Sequence, residues 1–121
     1  MISFIYYSKT NGDPADPSRD LLLGLNYIKA HHRDIYVRLK HGDLSETHLL
    51  LDQTPETDLD KIYNMYQGEN WSPNGEAKEL IQNLGLSHTS MCVGDIIKQS
   101  DGNPNGDRYF FCDLLGWVEL E

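Results

Sequence analysis

Basic residues are scarce in this chain: 10 Lys and Arg stand against 19 Asp and Glu, giving 121 residues a net charge of −9. Affinity for nucleic acid rests largely on Lys and Arg contacts to phosphate, so nucleic acid is disfavoured as a partner. The acidic residues are scattered and form no block of the kind that marks a charged tail. Two readings follow: a solvated surface, or an acidic face that docks on a basic partner or imitates a nucleic-acid backbone. Long apolar runs are also missing. None approaches the ~20 residues needed to cross a bilayer, so a membrane is not an expected partner. The apolar run in MISFIYYSKT is too short for a signal peptide, and Lys9 follows it rather than precedes it, so no export is expected. The expected compartment is the cytoplasm. Cysteine is sparse, and Cys92 and Cys112 fit no CxxC or paired metal spacing; they read as reduced thiols. There is no P-loop, GxGxxG, GxSxG or HExxH, so no motif fixes a reaction, and no cofactor is expected.

What is present points to a packed domain. Hydrophobic residues at 39% and charged residues at 24% sit near globular norms. A chain of this length buries roughly two-thirds of its unfolded surface without a metal or disulfide staple, and residues 1–121 read as one domain. Ile2 to Ser8 is a β-branched and aromatic run that enters a turn-rich loop, which predicts a strand buried on both faces. Asp16 and Pro17 form a cap-and-proline start, and Leu21, Leu25 and Ile28 then predict a helix to about His31. Ile35, Val37 and Leu39 alternate with Tyr36, Arg38 and Lys40, which predicts a strand. Thr47 to Leu51 would return beside it as an antiparallel partner.

Thr54 with Pro55 starts a second helix, with Leu59, Ile62, Tyr63 and Tyr66 on one face. Ser72 and Pro73 start a third, with Ala77, Leu80, Ile81 and Leu84 inward and Gly85 as the left-handed stop. MCVGDIIKQ and RYFFCDLLGWVEL are extended runs around SDGNPNGD, a hairpin spanning roughly Met91 to Leu120. The expected fold is α+β: a small mixed, mainly antiparallel sheet with three helices, ending in a C-terminal β-hairpin.

Several constellations bear on chemistry. Asp101, Asn103 and Asn105, with Gly106 and Asp107, imitate a calcium loop, but Cys112 stands where a bidentate Glu is required and Pro104 stiffens the turn. Ordinary turn chemistry explains the same residues. His31, His32, His41 and His48 with Asp34 or Asp43 are metal candidates whose spacing does not converge; solvated helix-end and loop histidines are the preferred reading. Cys92 or Cys112 as a nucleophile would need a base such as His88, and packing is preferred. Asp95, Asp107 and Asp113 could gather around the hairpin as acid and base. Among the aromatic residues Tyr6, Tyr7, Tyr36, Tyr63, Tyr66 and Trp71, core packing accounts for most. Tyr36 and Trp71 are the ones expected to be partly exposed at a recognition face.

The stretches THLLLDQTPETDLDKIYNMYQ and HTSMCVGDII, with Tyr109 and Gly116-Trp117 of YFFCDLLGWVEL, resemble the YodL-like module, a bacterial module common on plasmids, phages and other mobile elements. The likeness covers about half the chain. It departs in carrying Cys92 where the module usually has Ser, and in the extra helix from Glu76 to Leu84. The resemblance implies an accessory protein and transfers no catalytic residue. Gly94 and Asp95 read as a bend before a strand, and Trp117 and Leu120 as core closure.

The expected function is therefore a small acidic, non-enzymatic interaction protein that binds or inhibits a protein partner or forms a homo-oligomer. Tyr36, Trp71, Asp95 and Trp117 are the candidate binding residues. A PUA-like small-molecule or RNA binder built around the hairpin is the alternative, and a metal-dependent hydrolase using His and Asp is a third reading.

Overall fold

A computed structural model describes residues 1–9, 21, 23–71, 75–86, 89–103 and 106–120. Five strands form one antiparallel sheet: β1 (Ile2–Ser8), β2 (His48–Thr54), β3 (Ile96–Ser100), β4 (Arg108–Asp113) and β5 (Gly116–Glu119), in the order β2-β1-β3-β4-β5. The described helices are α1 (Leu25–His31), α2 (Arg33–Lys40), α3 (Leu59–Met65), the single turn α4 (Gly68–Trp71) and α5 (Glu76–Asn83). The class is α+β and the chain ends in the β4–β5 hairpin.

Alternation along the strands sorts the core onto two sheet faces. Tyr6, Ile96 and Phe111 share one register row, and their face packs on Leu21, Leu25, Ile28, Ile35 and Leu39. The opposite face carries Ile5, Tyr7 and Ile97 against Ile62, Tyr66, Ile81 and Leu86. Thus α1 and α2 cover one side, and α3 to α5 cover the other. The first strand lies inside the sheet, between β2 and β3. Its face carrying Ser3, Ile5 and Tyr7 is buried as expected, whereas on the other face Phe4 and Tyr6 are only half-buried and Ile2 is 41% exposed.

Three expectations change. Residues 35–39 form α2 rather than a strand: Ile35 and Leu39, four apart, are buried, while Val37 is 39% exposed. One turn of helix places those two residues on one face, and the short run satisfied the strand period only by coincidence. Together with the turn at α4, this makes five described helical segments instead of three. With the expected strand gone, β2 pairs with β1, with a bulge between Ile5 and Tyr6, and every pairing is antiparallel. The second helix begins later than predicted. Thr54 ends β2, and the cap is Asp58, whose carboxylate accepts from Asp60 N and Lys61 N at 3.0 and 3.3 Å.

Elsewhere the punctuation is as read. Leu86 N donates to Ile81 O and Gly85 N to Gln82 O, with Gly85 at φ 75°, the Schellman stop that its glycine predicts. Ala77 and Ile81 are buried, whereas Leu80 and Leu84 lie half in solvent. The starts assigned to Asp16–Pro17 and Ser72–Pro73 lie outside the described residues.

Candidate functional site

Two features stand at the hairpin end of the sheet: a buried polar seam beneath the strands and an open cleft at its surface. The seam begins at the Gly94–Asp95 bend. Asp95 has no exposed surface, and its carboxylate accepts from Ser8 N at 2.8 Å and Cys92 N at 2.9 Å. Gly94 N donates to Cys112 O, and Cys112 N donates to Asp95 O, so the bend is stitched to β4 on its other side.

His48, 2% exposed, closes the seam from β2. Its Nε2 lies 2.7 Å from Gly94 O, an atom that can only accept, which fixes the proton on Nε2; Nδ1 lies 2.8 Å from Thr47 Oγ1. Of the four candidate metal histidines, His48 is thus a core strap rather than a solvated loop residue. It was misread because a histidine entering a strand has no sequence mark of burial. Tyr7, fully buried, donates its hydroxyl towards Tyr66 O and Thr89 O.

This interior holds both thiols in the protonated form. Burial first, and the Asp95 carboxylate second, push the Cys92 thiol far up and raise Cys112 from 9.0 to about 12. Packing is therefore the role the geometry supports for both, and His88 lies outside the described residues. Tyr7 and Tyr66 are raised as well, mainly by burial. Because the folded chain holds the Cys112 proton more tightly than the unfolded chain does, its contribution is intact below pH 9 and is lost as pH climbs towards 12. Unfolding free energies from urea titrations are expected to stay level to about pH 9, then fall with a limiting slope of about 1.4 kcal/mol per pH unit for this one thiol. A level profile through pH 11, at a working limit of about two units above the free thiol, would show that the site is not desolvated.

The cleft, of about 260 Å³, lies where α3 meets the hairpin. Asp60 and Tyr63 line it from α3, and Cys112, Asp113, Leu114 and Trp117 line it from the hairpin. Asp113 Oδ1 accepts from Leu25 N at 3.2 Å and from Leu114 N at 2.8 Å, which fixes the carboxylate while it serves the first turn of α1. Across the hairpin, Arg108 holds Glu119 through Nε at 2.6 Å and a second nitrogen at 3.0 Å. The tip beyond the cleft is Leu114–Leu115, 64% and 102% exposed. A larger hollow of about 440 Å³ lies along the β2 edge, where Lys9 Nζ donates to Ser45 O.

The four candidate binding residues do not form one surface. Trp117 lines the cleft. Trp71 is half-buried, tilted against Tyr66 at 5.5 Å, with its indole N–H donated to Thr89 O. Tyr36 is half-buried on the opposite sheet face beneath Lys29 Nζ, 5.1 Å from its ring centre. Asp95 is interior and belongs to the fold rather than to a recognition face. Sequence reasoning missed Asp60 and the Leu114–Leu115 tip; two leucines between FFCD and GWVEL were the available signal.

The calcium-like loop is built by turn chemistry where it is described. Asp101 Oδ1 accepts from Asn103 N at 2.9 Å, and Asp107 Oδ2 lies 3.4 Å from Lys98 Nζ. Asn105 and Pro104 lie outside the described residues. Asp107 Oδ1 is buried without a hydrogen-bond partner among the described residues. Asp95, Asp107 and Asp113 each have separate partners, and no group of three or more His, Cys, Asp or Glu converges among the described residues. No described helix is long and apolar enough to cross a membrane.

Fold and site together define an α+β domain with an acidic, aromatic cleft beside an apolar hairpin tip. Comparison with protein-family models, with curated proteins and with solved structures finds no match.

Proposed function

We propose that the chain is a non-enzymatic accessory protein, of the kind carried by plasmids and phages, that binds or inhibits a protein partner through its terminal hairpin. The observation that carries this reading is the exposed tip. Two-residue hairpin turns normally use Gly, Asn or Asp, which satisfy the backbone and tolerate solvent. Here Leu114 and Leu115 take those positions and project into water beside the Asp60–Trp117 cleft. Burying one leucine side chain is worth about 1.5–3 kcal/mol, so the pair is a strong anchor once covered. The YodL-like resemblance of the C-terminal half supports the same accessory role, and the carboxylate-lined cleft favours a protein partner over RNA.

The test places a photo-crosslinking amino acid at position 115 and, as a control, at Glu79 on α5. Discrete adducts confined to position 115 are expected. Leu115→Ser should abolish partner co-purification while changing stability by less than about 0.5 kcal/mol, because the side chain has no folded contacts to lose. Equal adduct patterns at both positions, or a single adduct at twice the chain mass, would overturn the reading.

A further inference from the structure

We infer that the cleft between α3 and the hairpin is an arginine socket, which receives one guanidinium side chain from a basic segment of the partner. This inference rests on the docking role proposed for the hairpin and names the chemistry of its recognition.

The lining carries the argument. Two carboxylates, Asp60 and Asp113, and two aromatic rings, Tyr63 and Trp117, surround the space, with Val93, Leu114, Gly116 and the protonated Cys112 thiol completing the described lining. No Lys, Arg or His among the described residues lines it. Among the described residues no ion pair uses Asp60 or Asp113. The two described hydrogen bonds that Asp113 accepts converge on Oδ1, so the carboxylate is already oriented before a ligand arrives. Tyr63 is 36% exposed and Trp117 half-buried, which leaves aromatic surface at hand for a flat cation.

Size narrows the ligand. At about 260 Å³ the cleft falls below the ~300–1,000 Å³ of pockets that enclose a drug-sized ligand or cofactor, and suits a single side chain. A guanidinium fits this set better than an ammonium. It stacks on aromatic faces while its fork of donors meets carboxylates in the same plane. The outer edge of β5, which has no neighbouring strand among the described residues, runs alongside and can pair with the backbone that delivers the side chain. The net charge of −9 favours the approach of a basic segment from a distance.

Fluorine NMR of the full chain labelled with fluorotryptophan tests the socket, since its 2 tryptophans report separately. The probe is a blocked pentapeptide with a central arginine flanked by valines, compared with its citrulline and lysine counterparts. A saturable shift of the Trp117 resonance is expected, with Trp71 unmoved. Citrulline, which keeps the shape and loses the charge, should bind about tenfold or more weakly. Asp113→Asn should weaken the arginine peptide by a similar factor, about tenfold, while its amide oxygen still accepts from Leu25 and Leu114. No saturable shift, an equal response to citrulline, a lysine peptide as tight as the arginine one, or equal movement of Trp71 would each overturn the assignment. If the crosslink at position 115 survives while the arginine titration fails, the socket falls and the docking role stands; the reverse pattern discards the docking role alone.

Discussion

Replacing Asp95 by Ala is expected to destabilise the fold by about 2–5 kcal/mol, read as a fall in the urea midpoint. The carboxylate is fully buried and accepts from two amides, Ser8 N at the end of β1 and Cys92 N ahead of the bend. A buried donor left without an acceptor costs about 1–3 kcal/mol, and truncation removes the carboxylate from both amides. It also opens space beside Cys92 and Cys112. Asp95→Asn restores one acceptor oxygen and should recover part of the loss. A change below about 1 kcal/mol for Asp95→Ala would mean that solvent reaches the bend, contrary to its burial.

Gly94→Ala is expected to cost about 2–5 kcal/mol through two separable effects. At φ 99° the backbone occupies a region that disfavours any side chain, a penalty of about 1–3 kcal/mol. A Cβ there would stand 3.0 Å from Leu21 Cβ and 3.3 Å from the Leu21 carbonyl, and overpacking of that kind costs about 1–3 kcal/mol more. Gly85 supplies the control. It too has positive φ, 75°, but no described atom lies within 4 Å of its added Cβ, so Gly85→Ala should carry the backbone penalty alone. Equal losses at the two glycines would remove Leu21 from the account.

Much of this fold was legible because strands and stops are written locally. The β-branched run at 2–8, the glycine at 85 and the turn residues before Arg108 each encode their own geometry. The stretch 35–39 was not legible, because five residues fit both the period of a strand and the i, i+4 spacing of a helix. The arbiter is the fold itself: Leu25, Ile28, Ile35 and Leu39 all pack on the same sheet face. Sheet order was equally out of reach, since partners fifty and ninety residues away leave no mark on a strand's sequence. The site was only partly readable. Trp117 stood out as an aromatic residue and Asp113 as a carboxylate of the same hairpin, but Asp60 meets them only through tertiary packing. Asp95 resembled an accessible carboxylate because polarity alone does not reveal burial.

The place of β1 in the sheet also dictates an order of assembly. Residues 2–8 pair with 48–54 on one edge and with 96–100 on the other. As the chain leaves the ribosome, β1 therefore waits for residues 48–54 to gain one neighbour and for residues 96–100 to gain the second. Such distant pairing closes long loops and forms more slowly than local contacts. Until β3 arrives, β1 offers an open edge rich in isoleucine and tyrosine, the kind of surface that recruits other chains.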